Sequence, residues 1–232
     1  MRAFSVLVSN FAGRKELPAQ HGLSLFIRMD DTDIIFDTGA DDLFLHNARF
    51  MNLPVLNIDS VVISHFHYDH IGGLPHLSKY FSVANKVCEV ICPESYEMPP
   101  LPALRKRSSD FFKDTNKNAA IIETSTVDKE GKQIAELSII AGKTMFAGCG
   151  HSGIHEMVET ALKKVGAIDT IAGGFHNMEH SSAELHATAQ FLAGKGIKKV
   201  ILLHCTTMKF IRHLEDSGIE CKVGYVGHCY NI

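Results

Sequence analysis

No stretch of this 232-residue chain reaches 18 apolar residues, so no segment is fitted to cross a membrane as a helix. Basic residues are in short supply: 23 Lys and Arg stand against 26 Asp and Glu, for a formal charge of -3. A sequence-blind grip on nucleic acid needs a basic face, and this balance argues against one. Six cysteines are present but no C-x-x-C pair, which excludes a disulfide scaffold for a chain this long. Cys88, Cys92, Cys205, Cys221 and Cys229 lie in or beside apolar segments and are expected to be small buried thiols in a reducing compartment. The opening "MRAFSVLVSNF" has too short an apolar run for a signal-peptide core and no small-residue cleavage site. It reads as an edge or outer strand of a cytoplasmic protein. Neither a linker nor a short-period repeat is visible, so a single domain over 1–232 is expected.

What is present is ordinary in bulk and unusual in one place. Hydrophobic residues make up 45% and charged residues 21%, enough apolar material for a core without staples. Strand signals come first, in "RAFSVLV", "GLSLFIR", "IIFD" and "IDSVVIS", with a helix read over about 42–52. "GGLPHLSKYF" reads as a helix and "KVCEVIC" as a strand. The segment 93–118 carries four of the seven prolines and the charges of "LRKRSSDFFKDTNKN", which suggests a lid or irregular loop with room for a short helix. Strands resume at "AAIIETSTV", "KQIAELSII" and "KTMFAG". From there helix and strand alternate to the end, which predicts an α/β layered fold with sheets beneath helices.

The unusual place is "ISHFHYDHIGG", residues 63–73, directly after a buried strand. In an extended segment side chains two apart point the same way, so His65 and His67 can aim at one point. Asp69 and His70 follow as the chain turns, helped by Gly72 and Gly73. Such groups gathered without a partner would be desolvated and would repel on protonation. A divalent cation removes both problems, and neutral imidazole with carboxylate suits zinc, with iron or manganese as alternatives.

These residues resemble the signature of the metallo-β-lactamase fold superfamily. "HGLSLFI", "FDTG", "HFHYDHIGG", "GCGHSGI", "GGFH" and "LHCT" carry the resemblance, which covers nearly the whole chain. Within the superfamily the pattern is similar to small metal-dependent hydrolases related to a dihydropterin–ribofuranosylaminobenzene phosphate synthase. The resemblance implies an αββα sandwich with a metal site at one edge, often holding two zinc ions. It implies His65 and His67 on the first metal, with Asp69 and His70 on the second. No histidine occurs between His76 and His151, so His151 is the candidate third ligand of the first metal. His204, at the end of "KKVILLH", is assigned to the second metal. Many members place a bridging aspartate where this chain has Cys149. A thiolate there could bridge two metals or stand by. Asp37 is expected behind a metal histidine, holding it or the loop. His176, at the end of a neighbouring strand, is expected to touch substrate or donate a proton, with His180 a weaker candidate. His21, His46, His76, His155, His186, His213 and His228 are left as structural or surface residues.

Water on such a metal has a pKa near ~7, so hydrolysis of an ester, thioester, lactone or phosphoester is the expected chemistry. Asp69 would orient the water and His176 would protonate the leaving group. Two alternatives stay open: a synthase joining a pterin to a ribosyl-aminobenzene phosphate on the same metals, and a non-catalytic metal-binding domain. The expected partner is a small molecule, an anionic one suiting Arg105, Lys106, Arg107, Lys113 and Lys117 in the 93–118 segment. Neither nucleic acid nor a membrane is expected as a partner.

Overall fold

The computed structural model describes residues 2–108 and 119–232, and these fall into two compact units. The first comprises 2–108 with 225–232, and the second comprises 119–224.

The first unit is built on a seven-stranded sheet in the order β13-β1-β2-β3-β4-β5-β6. Its strands are β1 (Arg2–Val8), β2 (Ser24–Met29), β3 (Thr32–Phe36), β4 (Ser60–Val62), β5 (Cys88–Ile91), β6 (Leu104–Arg107) and β13 (Cys229–Asn231). β1 to β3 and β13 run antiparallel, whereas β3 to β6 run parallel. Parallel neighbours need a crossover, which α1 (Leu43–Phe50) and α3 (Leu74–Val83) supply. Phe44, Leu74, Leu77 and Phe81 of those helices pack on Phe26, Ile35, Val61 and Val90 of the sheet. The other sheet face is equally apolar: Val6, Leu25, Ile27, Phe36, Val62 and Ile91 are all buried. Strands buried on both faces read as continuous apolar runs, which is how "IIF" and "SVVI" appear in the sequence.

Two expectations change here. β1 is not an edge strand, because the three-residue β13 pairs along its outer side. The 93–118 segment is partly regular: β6 lies within it and pairs in parallel with β5. Its charges are used locally. Arg107 reaches Glu89 at 2.7 Å, and Lys106 Nζ donates to the carbonyls of Glu94 and Tyr96 at 3.0 and 2.6 Å. Lys113 and Lys117 lie outside the described residues.

The second unit holds a six-stranded sheet in the order β12-β11-β10-β9-β8-β7. The strands are β7 (Ala119–Val127), β8 (Gln133–Ala141), β9 (Thr144–Ala147), β10 (Thr170–Gly173), β11 (Lys199–Leu202) and β12 (Glu220–Val223). β7, β8 and β9 form an antiparallel meander, and β9 to β12 are parallel. The crossovers are α4 (Ile154–Val165), α5 (Ser182–Gly194) and α6 (Phe210–Asp216). Met157, Val158, Leu185, Leu192, Phe210 and Leu214 from these helices close the core over Met145, Ile171 and Val200. α5 starts in a capping box, with Ser181 and Glu184 satisfying each other's backbone N–H groups. Because β9, β10 and β11 are parallel and in register, their carboxyl ends emerge side by side. The α/β class read from the sequence is what the chain has. Among the described residues no helix is long and apolar enough to cross a membrane.

Candidate metal centre

In the first unit the site begins where β3 and β4 end. Asp37, one residue past β3, has a left-handed backbone with φ 59°. That conformation is costly for a residue with a Cβ and is typically kept where a side chain must be aimed. The buried Asp37 carboxylate accepts from the Ser64 N–H at 2.7 Å, the Ser64 hydroxyl at 2.7 Å and His70 Nδ1 at 2.7 Å. The single Ser64 proton is thus committed to Asp37. His65 Nδ1, 2.9 Å from the Ser64 oxygen, must therefore be the donor in that contact. Both buried rings are fixed as Nδ1–H tautomers, which leaves the lone pair on Nε2. This is the arrangement in which a histidine binds a metal while its other nitrogen is held by a carboxylate or hydroxyl.

The remaining groups gather on the same side. His65 Nε2 lies 3.2 Å from His67 Nδ1, and the His65 and His70 ring centroids are 4.1 Å apart. Two nitrogens on one tetrahedral zinc at 2.0–2.1 Å would be separated by roughly 3.3 Å. Asp69 Oδ2 faces His70 Nε2 at 3.7 Å and His21 Nε2 at 3.3 Å. The short helix α2 (Tyr68–Ile71) carries Asp69 and His70, and the His70 carbonyl is pinned by the Thr38 N–H and hydroxyl at 2.8 and 2.9 Å. Gly72 and Gly73 allow this: a Cβ at Gly72 would collide with the Ala40 carbonyl, and one at Gly73 with the Thr38 carbonyl. Beside the cluster, Phe66, Tyr68, Ile71, Leu74, Tyr96, Pro99 and Leu101 line an apolar pocket of about 300 Å³. Phe66 and Tyr96 stack there with centroids 5.4 Å apart.

In the second unit the parallel strand ends deliver Cys149, His151, His176, His204 and Cys205. Cys149 Sγ is 3.5 Å from His176 Nδ1, and the His151 and His176 rings are 4.3 Å apart. His204 Nε2 is 3.1 Å from Cys205 Sγ. Two of the histidines have left-handed backbones, His176 with φ 46° and His204 with φ 43°. The strand ends pack closely: a Cβ at Gly173, the last residue of β10, would run into the carbonyl of Ala147, the last residue of β9. Hydrogen bonding to Cys205 raises the His176 pKa despite partial burial. Hydrogen bonds from Cys149, then His176 and His204, hold the Cys205 thiol far below the usual range against its burial.

Residues 17–166 match the metallo-beta-lactamase superfamily. The chain belongs to that superfamily. Membership implies divalent-metal binding, and the tautomer-locked imidazoles beside Asp69 are a donor set that fits it. A 7,8-dihydropterin-6-methyl-4-(beta-D-ribofuranosyl)-aminobenzene-5'-phosphate synthase of Methanocaldococcus jannaschii is 25% identical, over 88% of this chain and 87% of that one. An uncharacterized protein of the same organism is also 25% identical, over 98% of this chain and 99% of its own length. The crystal structure of Tm1679, described as a metal-dependent hydrolase of the beta-lactamase superfamily, superposes with a TM-score of 0.80 at 20% identity. That match covers 100% of this chain and 99% of the other, and it shows the shared fold.

Several residues of this superfamily member escaped the sequence reading. Glu136, fully buried in β8, accepts from the backbone N–H groups of Cys149, Gly150 and His151 at 2.7–2.8 Å. It fixes the loop that presents Cys149 and His151. The available signal was one carboxylate inside an otherwise apolar strand, "KQIAELSII". Cys205 is not a core thiol but belongs to the cluster, and Cys221 and Cys229 are only partly buried and exposed. Ser64 sets a tautomer, and His21 stands against Asp69. His155, left as structural, stacks on Phe191 at 4.0 Å, where burial lowers its pKa. It lines a pocket of about 290 Å³ together with His151, His176, Asn177 and His180. Asn177 Oδ1 accepts from the Thr207 N–H at 2.9 Å, while its Nδ2 is buried with no hydrogen-bond partner among the described residues. His46, His76, His186, His213 and His228 take no part in either cluster.

Proposed function

We propose that this chain is a metal-dependent hydrolase of small molecules, acting on an ester, thioester, lactone or phosphoester. The observation that carries the reading is the locking of His65 and His70, through Ser64 and Asp37, as metal-binding tautomers. A cation gives these two Nε2 lone pairs and the Asp69 carboxylate one shared partner. His65, His67, Asp69 and His70 of the first unit and His151 and His204 of the second are assigned to hold two divalent ions. Zinc suits these donors best, with iron or manganese as alternatives. Bound there, the ions lower the pKa of water and offset negative charge developing on an acyl or phosphoryl oxygen.

The chain's own residues do the rest. Asp69 accepts a hydrogen bond from the attacking water and orients it. His176 gives a proton to the leaving group, a task that its raised pKa suits. The unsatisfied Nδ2 of Asn177 offers a hydrogen bond to a carbonyl or anionic oxygen of the substrate.

A second reading, a synthase that transfers a pterin group, is favoured by the name of one relative and by the aromatic pocket next to the histidines. The stacked Phe66 and Tyr96 suit a flat ring in either case. Product analysis separates the readings. A hydrolase incorporates oxygen from labelled water into a product, whereas the synthase joins two substrates and releases an inorganic leaving group. The first test is a screen of generic phosphodiesters, lactones and thioesters with protein of known metal content. Asp69→Ala should abolish any turnover found while leaving the circular dichroism spectrum unchanged. Full activity in that variant overturns the assignment.

A further inference from the structure

We infer that Cys149, Cys205 and His176 form a sulfur-rich binding site for a divalent transition metal within the second unit. The inference goes beyond the imidazole ligands assigned above and does not depend on them.

Ligand atoms of these three side chains lie within 4.8 Å of one another. Cys149 Sγ and His176 Nδ1 are 3.5 Å apart. A tetrahedral zinc with Zn–S near 2.3 Å and Zn–N near 2.0–2.1 Å places sulfur and nitrogen roughly 3.5 Å apart. Two thiols and one imidazole at one strand-end crevice are a soft donor set, suited to zinc, iron or cobalt rather than magnesium or calcium.

The surroundings hold these donors in place. Cys149 follows β9, His176 follows β10 and Cys205 follows β11, three adjacent parallel strands. Glu136 grips the backbone of Cys149 through its N–H, so the thiol cannot swing away with its loop. The strained φ of His176 aims its ring at Cys149. A bystander thiol needs none of this, and a core thiol would be surrounded by apolar groups. Ligation through Nδ1 of His176 leaves its Nε2–H as a hydrogen-bond donor to substrate, in place of the general-acid role.

The test is a cobalt(II) titration of the reduced, metal-free, full-length chain, followed by absorption spectroscopy. Sulfur ligation gives an intense near-ultraviolet sulfur-to-cobalt charge-transfer band; oxygen and nitrogen ligation does not. The band should saturate with bound cobalt, weaken in Cys149→Ser and in Cys205→Ser, and vanish in the double variant. It should persist in His65→Ala/His67→Ala, which removes donors of the first unit only. Cobalt bound without the band, or a band unchanged in the double variant, overturns the inference while leaving the hydrolase reading intact. Alkylation of the wild-type chain gives a check that needs no variant. Zinc should protect the partly buried Cys205 from iodoacetamide in peptide maps but not the exposed Cys229, whereas equal labelling of Cys205 with and without zinc refutes the site.

Discussion

Asp37 fixes two things with one carboxylate, the tautomer of His70 directly and that of His65 through Ser64. In Asp37→Asn one carboxamide position becomes a donor, and the network cannot keep all three of its hydrogen bonds. Metal affinity should fall by about 10–100-fold, the usual effect of losing an outer hydrogen-bond partner. Competition with a chromophoric chelator measures it. Glu136 is the corresponding group of the second unit. Glu136→Ala strands three backbone N–H groups in a buried loop. Stability should drop by about 3 kcal/mol, read from the denaturation midpoint. The histidine cluster was legible in the sequence because its members all fall within six consecutive positions, and density is itself a signal. Glu136 was not, because its partners are backbone amides 13 to 15 residues away that carry no side-chain signature. Cys205 was misjudged for a related reason. A small residue beside an apolar strand looks the same whether it faces a core or a cluster.

Elements are a matter of period and punctuation, and most were readable on those grounds. The alternation of helix and strand in the second half of the chain was among them, and α5 within it opens in a capping box. Ser181→Ala should cost about 1 kcal/mol, seen in thermal or chemical denaturation. The same box gives a pH dependence of known sign. Hydrogen bonds from Ser181 lower the Glu184 pKa from its ordinary 4.5. Its contribution is therefore complete above about pH 4.5 and is lost as pH falls through the depressed folded value. Amide-exchange protection factors at the first turn of α5, corrected for the intrinsic pH dependence of exchange, should fall below that pH and hold steady above it. Gly72 tests the packing of α2 on the 38–41 loop. Gly72→Ala, driving a methyl into the Ala40 carbonyl, should destabilise by about 3 kcal/mol. Two elements were misread. β6 was hidden by its charges, since "LRKR" has no strand alternation of apolar residues. The position of β1 was hidden because its outer partner, β13, lies more than 220 residues away, and pairing over that distance leaves no local trace.

For the whole molecule, the superfamily's α/β architecture was visible in the order of strands and helices, and divalent-metal binding is what membership implies. Removing metal should lower the melting temperature. A ligand at one hundred times its dissociation constant stabilises by about 2.7 kcal/mol, and for a chain of this size that corresponds to roughly 5–10 °C. Calorimetry before and after dialysis against EDTA, with metal re-addition, measures it. An unchanged melting temperature would mean that the fold does not bind the ion.

One feature of the backbone runs against durability. Asp37, His176 and His204 each sit in a left-handed turn that a glycine would occupy in comfort. The chain carries three polar side chains where the main chain would rather have none. In the metal-free state, His176→Gly, at an exposed position, should then melt later than the parent, by an amount worth about 1 kcal/mol, while forfeiting the chemistry. A sturdier but idle protein would mark those corners as places shaped for work rather than for endurance.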